Sequence, residues 1–167
     1  MTNTILDNLQ YDADKGCITF KDVRYFLIRA ETIVDFQKAV EAVVGEKCAE
    51  MMAAGGYTGG ALSSKRYKEV FGYSNEEIVS FMCGMGAEIG WGKFRLDKLD
   101  METKEMIIEV QNSPFAEAYG PSDSGVCHMI RGVMAGMGAG IFGGDVQSEE
   151  TRCVAKGDLV CRFEVRG

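Results

Sequence analysis

The stretch "EETRCVAKGDLVCRFEV", residues 149–165, predicts two short antiparallel strands joined at a glycine. Each strand carries one cysteine, Cys153 or Cys161. A loop over 156–158 places the two cysteines directly opposite each other, and a loop over 155–157 places them diagonally. In both registers they share a face, with Cβ atoms roughly 5–8 Å apart. The hairpin alone leaves three interpretations open: a metal site, a cross-strand disulfide, or two thiols packed in the core.

Two residues outside the cysteine pair favour the metal interpretation. Cys127 falls in the first turn of a helix predicted after "PSDS", where the helix dipole and free N–H groups favour a thiolate. Glu150 precedes Cys153 by three positions, and such residues point to opposite faces of a regular strand. Glu150 therefore reaches the same metal only from a bend or bulge at the strand start. Four protein ligands leave no open position, so a zinc held this way is structural.

The composition limits the classes of function. The chain has 167 residues, of which 46% are apolar and 26% charged, which suits one domain with a real core. A net charge of −7 argues against broad electrostatic binding to nucleic acid or an anionic membrane. Six cysteines, together with an N-terminus that lacks a signal-peptide pattern, predict a reducing cytoplasmic location.

The glycine-rich stretch 125–144 allows several interpretations. His128 and Arg131 inside it argue against a membrane span, and we expect His128 to be structural. The segment "GAGIFG", 138–143, matches a dinucleotide-binding pattern, but it ends a predicted helix where such a site needs to open one. The glycine row predicts close backbone approach, either between two copies of the chain or against its own sheet. The row consists of Gly132, Gly136, Gly140 and Gly144.

The remaining hydrophobic patterns predict helices mixed with antiparallel hairpins. Because regular βαβ alternation is missing, we expect an α+β fold, an antiparallel sheet packed with helices. The predicted elements are strand pairing or a bent strand in 17–30, a helix over 30–45 stopped by Gly45, a second helix over 46–57, a helix over 74–91 with a capping box at its start, a hairpin around "METK", and a helix running into the glycine-rich stretch.

Residues 113–165, a cysteine-containing helix with a glycine-rich end followed by the quoted hairpin, resemble the 4-vinyl-reductase domain family. A looser resemblance covers 17–112, in "RAETIVDFQKAVEAVVGEKCAEMMAAGGYTGG". The family includes predicted hydrocarbon-binding proteins and the sensor domains of phenol-responsive activators, and its fold is similar to that of TRAPP tethering subunits. The resemblance implies a single domain over 1–167 with the α+β fold that these proteins share.

The resemblance also implies a zinc ligand set. In the zinc-containing sensors the ligands follow a Cys, Glu, Cys, Cys pattern. That pattern falls here on Cys127, Glu150, Cys153 and Cys161. A reduced cysteine cluster and a disulfide remain the alternatives.

For function, the resemblance implies a small-molecule-binding or sensory domain for an apolar or aromatic ligand, acting as a homodimer. The alternatives are a dimeric protein-interaction scaffold and a tetrapyrrole-related reductase. The reductase is disfavoured because the sequence has no redox-cofactor motif in a workable context and no clear acid–base pair. Ligand pockets in the family's sensors lie between the helices and the sheet. Candidate pocket residues, each of which also suits a core position, are Tyr57, Trp91, Phe94, Phe115 and Tyr119.

Overall fold

A computed structural model describes residues 3–21 and 23–167 of the chain. Within these residues, five α-helices and seven strands form the expected α+β fold. The helices are α1 (Ala30–Val44), α2 (Lys47–Phe71), α3 (Asn75–Glu88), α4 (Pro114–Tyr119) and α5 (His128–Phe142). The strands are β1 (Gln10–Asp12), β2 (Cys17–Phe20), β3 (Val23–Tyr25), β4 (Lys93–Asp100), β5 (Glu105–Gln111), β6 (Gln147–Arg152) and β7 (Cys161–Arg166).

The larger sheet is antiparallel, with the strand order β4-β5-β7-β6. Strand β5 lies inside it and is buried at five consecutive positions, 106–110. Strand β7 alternates: Phe163 and Val165 face the core, while Arg162 and Glu164 face outward. Helix α5 covers the inner face, and its buried residue Ile130 belongs to the same core cluster. The sheet therefore presents one apolar face to the helices and one charged face to solvent.

Helices α2 and α5 make an unusually close contact. A Cβ atom added to Gly132 would lie 1.9 Å from the carbonyl oxygen of Ala53, and one added to Gly56 would lie 2.2 Å from that of Met129. Because neither helix carries a side chain at these points, the backbones themselves touch. Gly136 and Gly140 also face α2. Both predictions for the glycine row, a dimer interface and packing on the sheet, are therefore wrong for these positions.

The second predicted helix also differs from the observed one. The sequence pattern predicts an end near 57, whereas α2 continues to Phe71. Glycine weakens an isolated helix, so a glycine-rich segment reads as a helix end. Here Gly56 and Gly60 allow α5 to approach, and the packing contact outweighs their low helix propensity.

Other local predictions are confirmed. Helix α1 ends at Gly45, whose φ of 61° places it in a conformation that favours glycine. Helix α3 begins with a capping box, in which Ser74 Oγ accepts from the Glu77 N–H and the Glu77 carboxylate accepts from the Ser74 N–H. Strands β4 and β5 form the predicted hairpin around "METK". Strands β2 and β3 pair within the stretch 17–30, whose residue 22 lies outside the described residues.

A second, three-stranded sheet with the order β1-β2-β3 stands near the N-terminus. Its described strand residues are all half-buried or exposed. The segment before it is attached to α3: the Asn3 side-chain amide donates to the Glu88 carbonyl at 2.8 Å, and the Ile5 N–H donates to the Glu88 carboxylate at 3.1 Å. Among the described residues, no helix combines the length and apolar character that a membrane crossing needs.

Candidate functional site

The four predicted metal ligands come together from three elements. Cys127 is the residue immediately before α5, Glu150 lies in β6, Cys153 follows the end of β6, and Cys161 opens β7. One ligand atom from each residue lies within 4.8 Å of the others. The structure thus places these four groups close enough together to bind one metal ion.

A β-bulge turns Glu150 toward the cysteines. Glu150 pairs with Phe163 and Arg152 pairs with Arg162, so Thr151 is an extra residue in β6. An extra residue shifts the side-chain alternation by one position. Glu150 and Cys153, three apart in sequence, can therefore point to the same site, which is the irregularity that the sequence required.

The turn between the two hairpin cysteines is wider than predicted. Cys153 lies beyond the paired part of β6 and is followed by a short 3₁₀ helix, Val154–Lys156. Gly157, with φ of 93°, then reverses the chain. The Cys153 N–H donates to the Asp158 carboxylate at 2.8 Å, which fixes the loop. The prediction of a three-residue loop was wrong, but the expected proximity of the two thiols is present.

The sulfur positions match a tetrahedral site. Cys127 Sγ lies 3.7 Å from Cys161 Sγ, and Cys161 Sγ lies 4.0 Å from Cys153 Sγ. Two sulfurs bound to one zinc at about 2.3 Å, with a tetrahedral angle between them, are about 3.8 Å apart. A disulfide needs an S–S distance of about 2.05 Å. All six cysteines are free, so the structure does not support the disulfide alternative.

The donor atoms also have the chemistry that a cation requires. The three thiols of Cys127, Cys153 and Cys161 are at most 1% exposed. Glu150 Oε2 accepts from the Cys127 N–H at 2.9 Å, whereas its Oε1 is buried with no hydrogen-bond partner in the described part of the chain. A buried, unpaired carboxylate oxygen beside three sulfurs is costly without a cation. Three sulfurs and one carboxylate oxygen fit Zn²⁺.

The protonation of the metal-free cluster supports the same conclusion. Burial, followed by the hydrogen bond with Cys153, raises the pKa of Glu150 to about 8. Hydrogen bonds with Cys153 and Cys161, together with burial, raise the pKa of Cys127, while the hydrogen bonds from Cys127 and Cys161 lower the pKa of Cys153. One thiolate shared with protonated neighbours is the arrangement that results. A divalent cation would allow the remaining groups to lose their protons.

Sequence reasoning missed two groups that contact the cysteines. The hydroxyl of Ser113, which is fully buried, lies 3.3 Å from Cys127 Sγ. The Val154 N–H donates to Cys161 Sγ at 3.4 Å. Both contacts orient sulfur atoms, as the outer shell of a metal site does. Ser113 immediately precedes Pro114 and reads as an ordinary helix start, so no sequence signal marks it. His128 is half-buried, and burial lowers its pKa.

An open groove runs beside the α2–α5 contact and is bounded on its other side by β6 and Val146, with a volume of about 630 Å³. Sequence reasoning found Tyr57 in it but missed its polar groups, because they come from three distant segments. The main contributors are Ala53, Tyr57, Arg131, Gly132, Ala135 and Ser148.

Comparison with known proteins agrees with this geometry. Residues 106–167 match the model of the 4-vinyl-reductase domain family. The match contains all four candidate ligands and confirms the resemblance that the sequence shows to this family. The chain is also 27% identical, over 95% of its length, to the phenol regulator MopR of Acinetobacter guillouiae. It spans only 30% of that regulator's length.

Solved structures with the fold of this family are similar to most or all of the chain. The phenol-responsive sensory domain of the activator PoxR matches with a TM-score of 0.83 at 16% identity, covering 98% of this chain and 86% of that one. A vinyl-4-reductase family protein from Methanocaldococcus jannaschii matches at 0.53 and 18% identity, over 81% and 87% of the two chains. A trafficking protein particle complex subunit 3 from Naegleria fowleri matches at 0.59 and 13%, over 82% and 93%. At these identities the similarity shows the fold, and it confirms the predicted fold class.

The aromatic pocket candidates are distributed over separate places in the fold. Trp91 and Phe115 pack edge to face, with ring centroids 5.3 Å apart, and Phe94 packs on Gly86. Tyr119 donates to the Glu41 carboxylate at 2.7 Å; this bond and burial raise the pKa of Tyr119 to about 12. These four side chains pack against the main core, whereas Tyr57 lines the groove. The structure therefore does not place the five in one pocket.

Proposed function

We propose that the chain is a sensory domain that binds a small apolar or aromatic molecule and is stabilised by a structural zinc ion. The observation that carries this proposal is the similarity to MopR, a phenol regulator, along 95% of the chain. The TM-score of 0.83 to the phenol-responsive sensory domain of PoxR supports it. We treat residues 1–167 as one domain and the cytoplasm as its location.

The zinc part of the proposal rests on four donors, Cys127, Glu150, Cys153 and Cys161. Their spacing, their burial and the unpaired carboxylate oxygen support a closed, four-coordinate site. Such an ion joins the start of α5 to the β6–β7 hairpin. Its role is to hold these elements together, and ligand binding is assigned elsewhere in the fold.

Native mass spectrometry of the protein purified without added metal or ligand tests both parts. We expect one zinc per chain, a dimer, and a retained or added aromatic molecule in the bound state. A metal-free protein whose three thiols are alkylated under native conditions would contradict the zinc site. If no member of a panel of apolar and aromatic compounds binds or raises the melting temperature, the sensory function is wrong.

A second candidate function, a dimeric interaction scaffold, is favoured by one observation. The segment before α1 exposes consecutive apolar side chains, with Phe26 at 76%, Leu27 at 77% and Ile28 at 48% exposure, and Phe36 in α1 adds 61%. A contiguous apolar patch commonly marks an interface, and a second copy of the chain is the proposed partner. Light scattering of the wild type and of Leu27→Ser at micromolar concentration tests it. A wild-type monomer would end this candidate, and a dimer in both proteins would move the interface elsewhere.

A further inference from the structure

Resting on the proposed sensory function, we infer that the groove between α2, α5 and β6 is the ligand site and that it takes a neutral, planar aromatic molecule with one hydroxyl group. The groove has a volume of about 630 Å³. Small-molecule sites commonly measure about 300–1,000 Å³. It is separate from the main core, which the other predicted aromatic residues fill.

The walls of the groove are shaped for a flat ring. Ala53 and Ala54 on α2 and Gly132 and Ala135 on α5 line it, so no large aliphatic side chain projects from these positions. Surfaces built from such small residues are flat, and an aromatic face packs closely on them. Tyr57, at 40% exposure, adds a ring at one side.

Arg131 supplies hydrogen-bond donors that are already held in place. Its side chain is 21% exposed, and its Nη2 donates to the Ala49 carbonyl and to Glu50 Oε1, both at 3.0 Å. Among the described residues, the Nε and Nη1 hydrogens have no protein acceptor. A guanidinium fixed by two bonds loses little entropy on binding a ligand oxygen.

The same end of the groove offers acceptors. The Glu50 carboxylate is 78% exposed beside Arg131. The Ser148 hydroxyl, also on the lining, is buried without a hydrogen-bond partner in the described part of the chain. A smaller cavity of about 270 Å³ shares Glu50, Arg131 and Ser148 and extends to His128. A hydroxyl group, which both donates and accepts, suits this combination better than a group that does only one.

The charge of this end selects a neutral ligand. Arg131 and Glu50 form a pair with no net charge, and Glu149 and Glu150 line the adjoining cavity. A ligand carboxylate would gain one cation but face these acidic groups. A phenol-type hydroxyl can accept from the guanidinium and donate to the Glu50 carboxylate. The groove therefore favours a phenol over an aromatic carboxylate and over a ring without oxygen.

Isothermal titration calorimetry of the zinc-loaded full chain with phenol, benzoate and toluene tests the ligand class. We expect phenol to bind about tenfold or more tightly than either of the others, the order expected for one hydrogen bond to a charged group. Glu50→Gln, an exposed change, leaves Arg131 without a paired anion and should reverse the preference toward benzoate. If benzoate binds wild type most tightly, or none of the three binds, the proposed ligand class is wrong.

Two matched variants test the location. Ala54→Leu places a large side chain in the groove from an exposed helix position, and Ala42→Leu makes the same change at a half-buried position of α1 outside it. We expect Ala54→Leu to weaken phenol about tenfold or more, the order expected when a side chain fills the binding volume, and Ala42→Leu to leave it unchanged. Circular dichroism confirms folding of both. Equal phenol affinity in the two variants would overturn the groove and leave the sensory function standing, since the native mass spectrum decides that independently.

Discussion

The two antiparallel sheets of this chain are stabilised in different ways. In the sheet β4-β5-β7-β6, strand β5 is buried at five consecutive positions, and α5 covers the inner face. In the sheet β1-β2-β3, the strands have only three or four residues, and none of the described strand residues is buried. Sheet stability comes mainly from side-chain packing on a covered face. The N-terminal sheet therefore depends on a few contacts at its ends, and the C-terminal sheet on its core.

Those few contacts can be named. Ile5, at 3% exposure, is the buried residue of the segment that precedes β1. The Lys21 ammonium lies 5.7 Å from the centre of the Phe71 ring at the end of α2. In the C-terminal sheet, by contrast, the proposed metal site joins β6 and β7 to α5. Damage to the second sheet should therefore spread through the domain, whereas damage to the first should stay local.

The largest contrast is expected between two cysteines, one in each sheet. Cys153→Ser removes a proposed ligand and should lower the free energy of unfolding by about 4 kcal/mol or more, because metal-binding energy is folding energy. Cys17→Ser, at a half-buried position of β2, should change it by about 0.5 kcal/mol or less. Chemical denaturation of both variants, with metal content measured alongside, gives the comparison. Equal losses would remove the metal from the explanation.

The glycine contact should have the next largest effect. Gly132→Ala puts a methyl group 1.9 Å from the Ala53 carbonyl oxygen, so α5 must shift away from α2. We expect a loss of about 2–4 kcal/mol. Gly59→Ala, on α2 with open space around it, should instead stabilise by about 0.5–1 kcal/mol through helix propensity. Thermal unfolding of the pair measures the difference, and a neutral Gly132→Ala would show that the helices separate easily.

A smaller, local effect is expected for the N-terminal attachment. Ile5→Ala removes a buried side chain at a cost of about 2 kcal/mol. Hydrogen exchange should increase in β1, β2 and β3 and stay unchanged in β5 and β7. Faster exchange throughout the larger sheet would mean that the two sheets unfold as one unit.

The smallest effect concerns the charged face of the larger sheet. Hydrogen bonds from Arg95 and Arg162 lower the pKa of Glu109 from its usual 4.5, despite the opposing effect of burial. The stabilisation that this carboxylate contributes is therefore present above pH 4.5 and disappears as the pH falls through its lowered pKa. Wild type should exceed Glu109→Gln in stability by about 1 kcal/mol at neutral pH. The difference should shrink in acid. A difference that stays constant far into acid would exclude the ion pairs as its source.

Elements with local signals were predictable from the sequence. The capping box at Ser74, the stop at Gly45 and the hairpin around "METK" are each set by neighbouring residues, and all three are observed. The proximity of Cys153 and Cys161 was predictable because the parity of a hairpin constrains which residues share a face. The same rule, applied to Glu150, showed that a bulge was needed.

Features that depend on distant partners were not predictable. The length of α2 is set by α5, which is far along the chain, because the contact compensates for the glycines. The 3₁₀ segment between the hairpin cysteines depends on Asp158, whose carboxylate holds the Cys153 N–H. The groove joins Glu50, Arg131 and Ser148 from three elements, and no spacing in one segment reveals such a set.

Bulges occur on both outer strands of the larger sheet. Thr151 is the extra residue in β6, and Asp97 is the extra residue in β4, where the pairing with β5 shifts between Leu96 and Lys98. A bulge twists an edge and interrupts its row of free backbone groups, and Asp97 adds a charge there that Arg162 binds at 2.8 Å. A passing unfolded chain therefore finds no straight edge on which to add a strand. The irregularity that brings Glu150 to the cysteines also lowers the risk of amyloid-like aggregation at that edge.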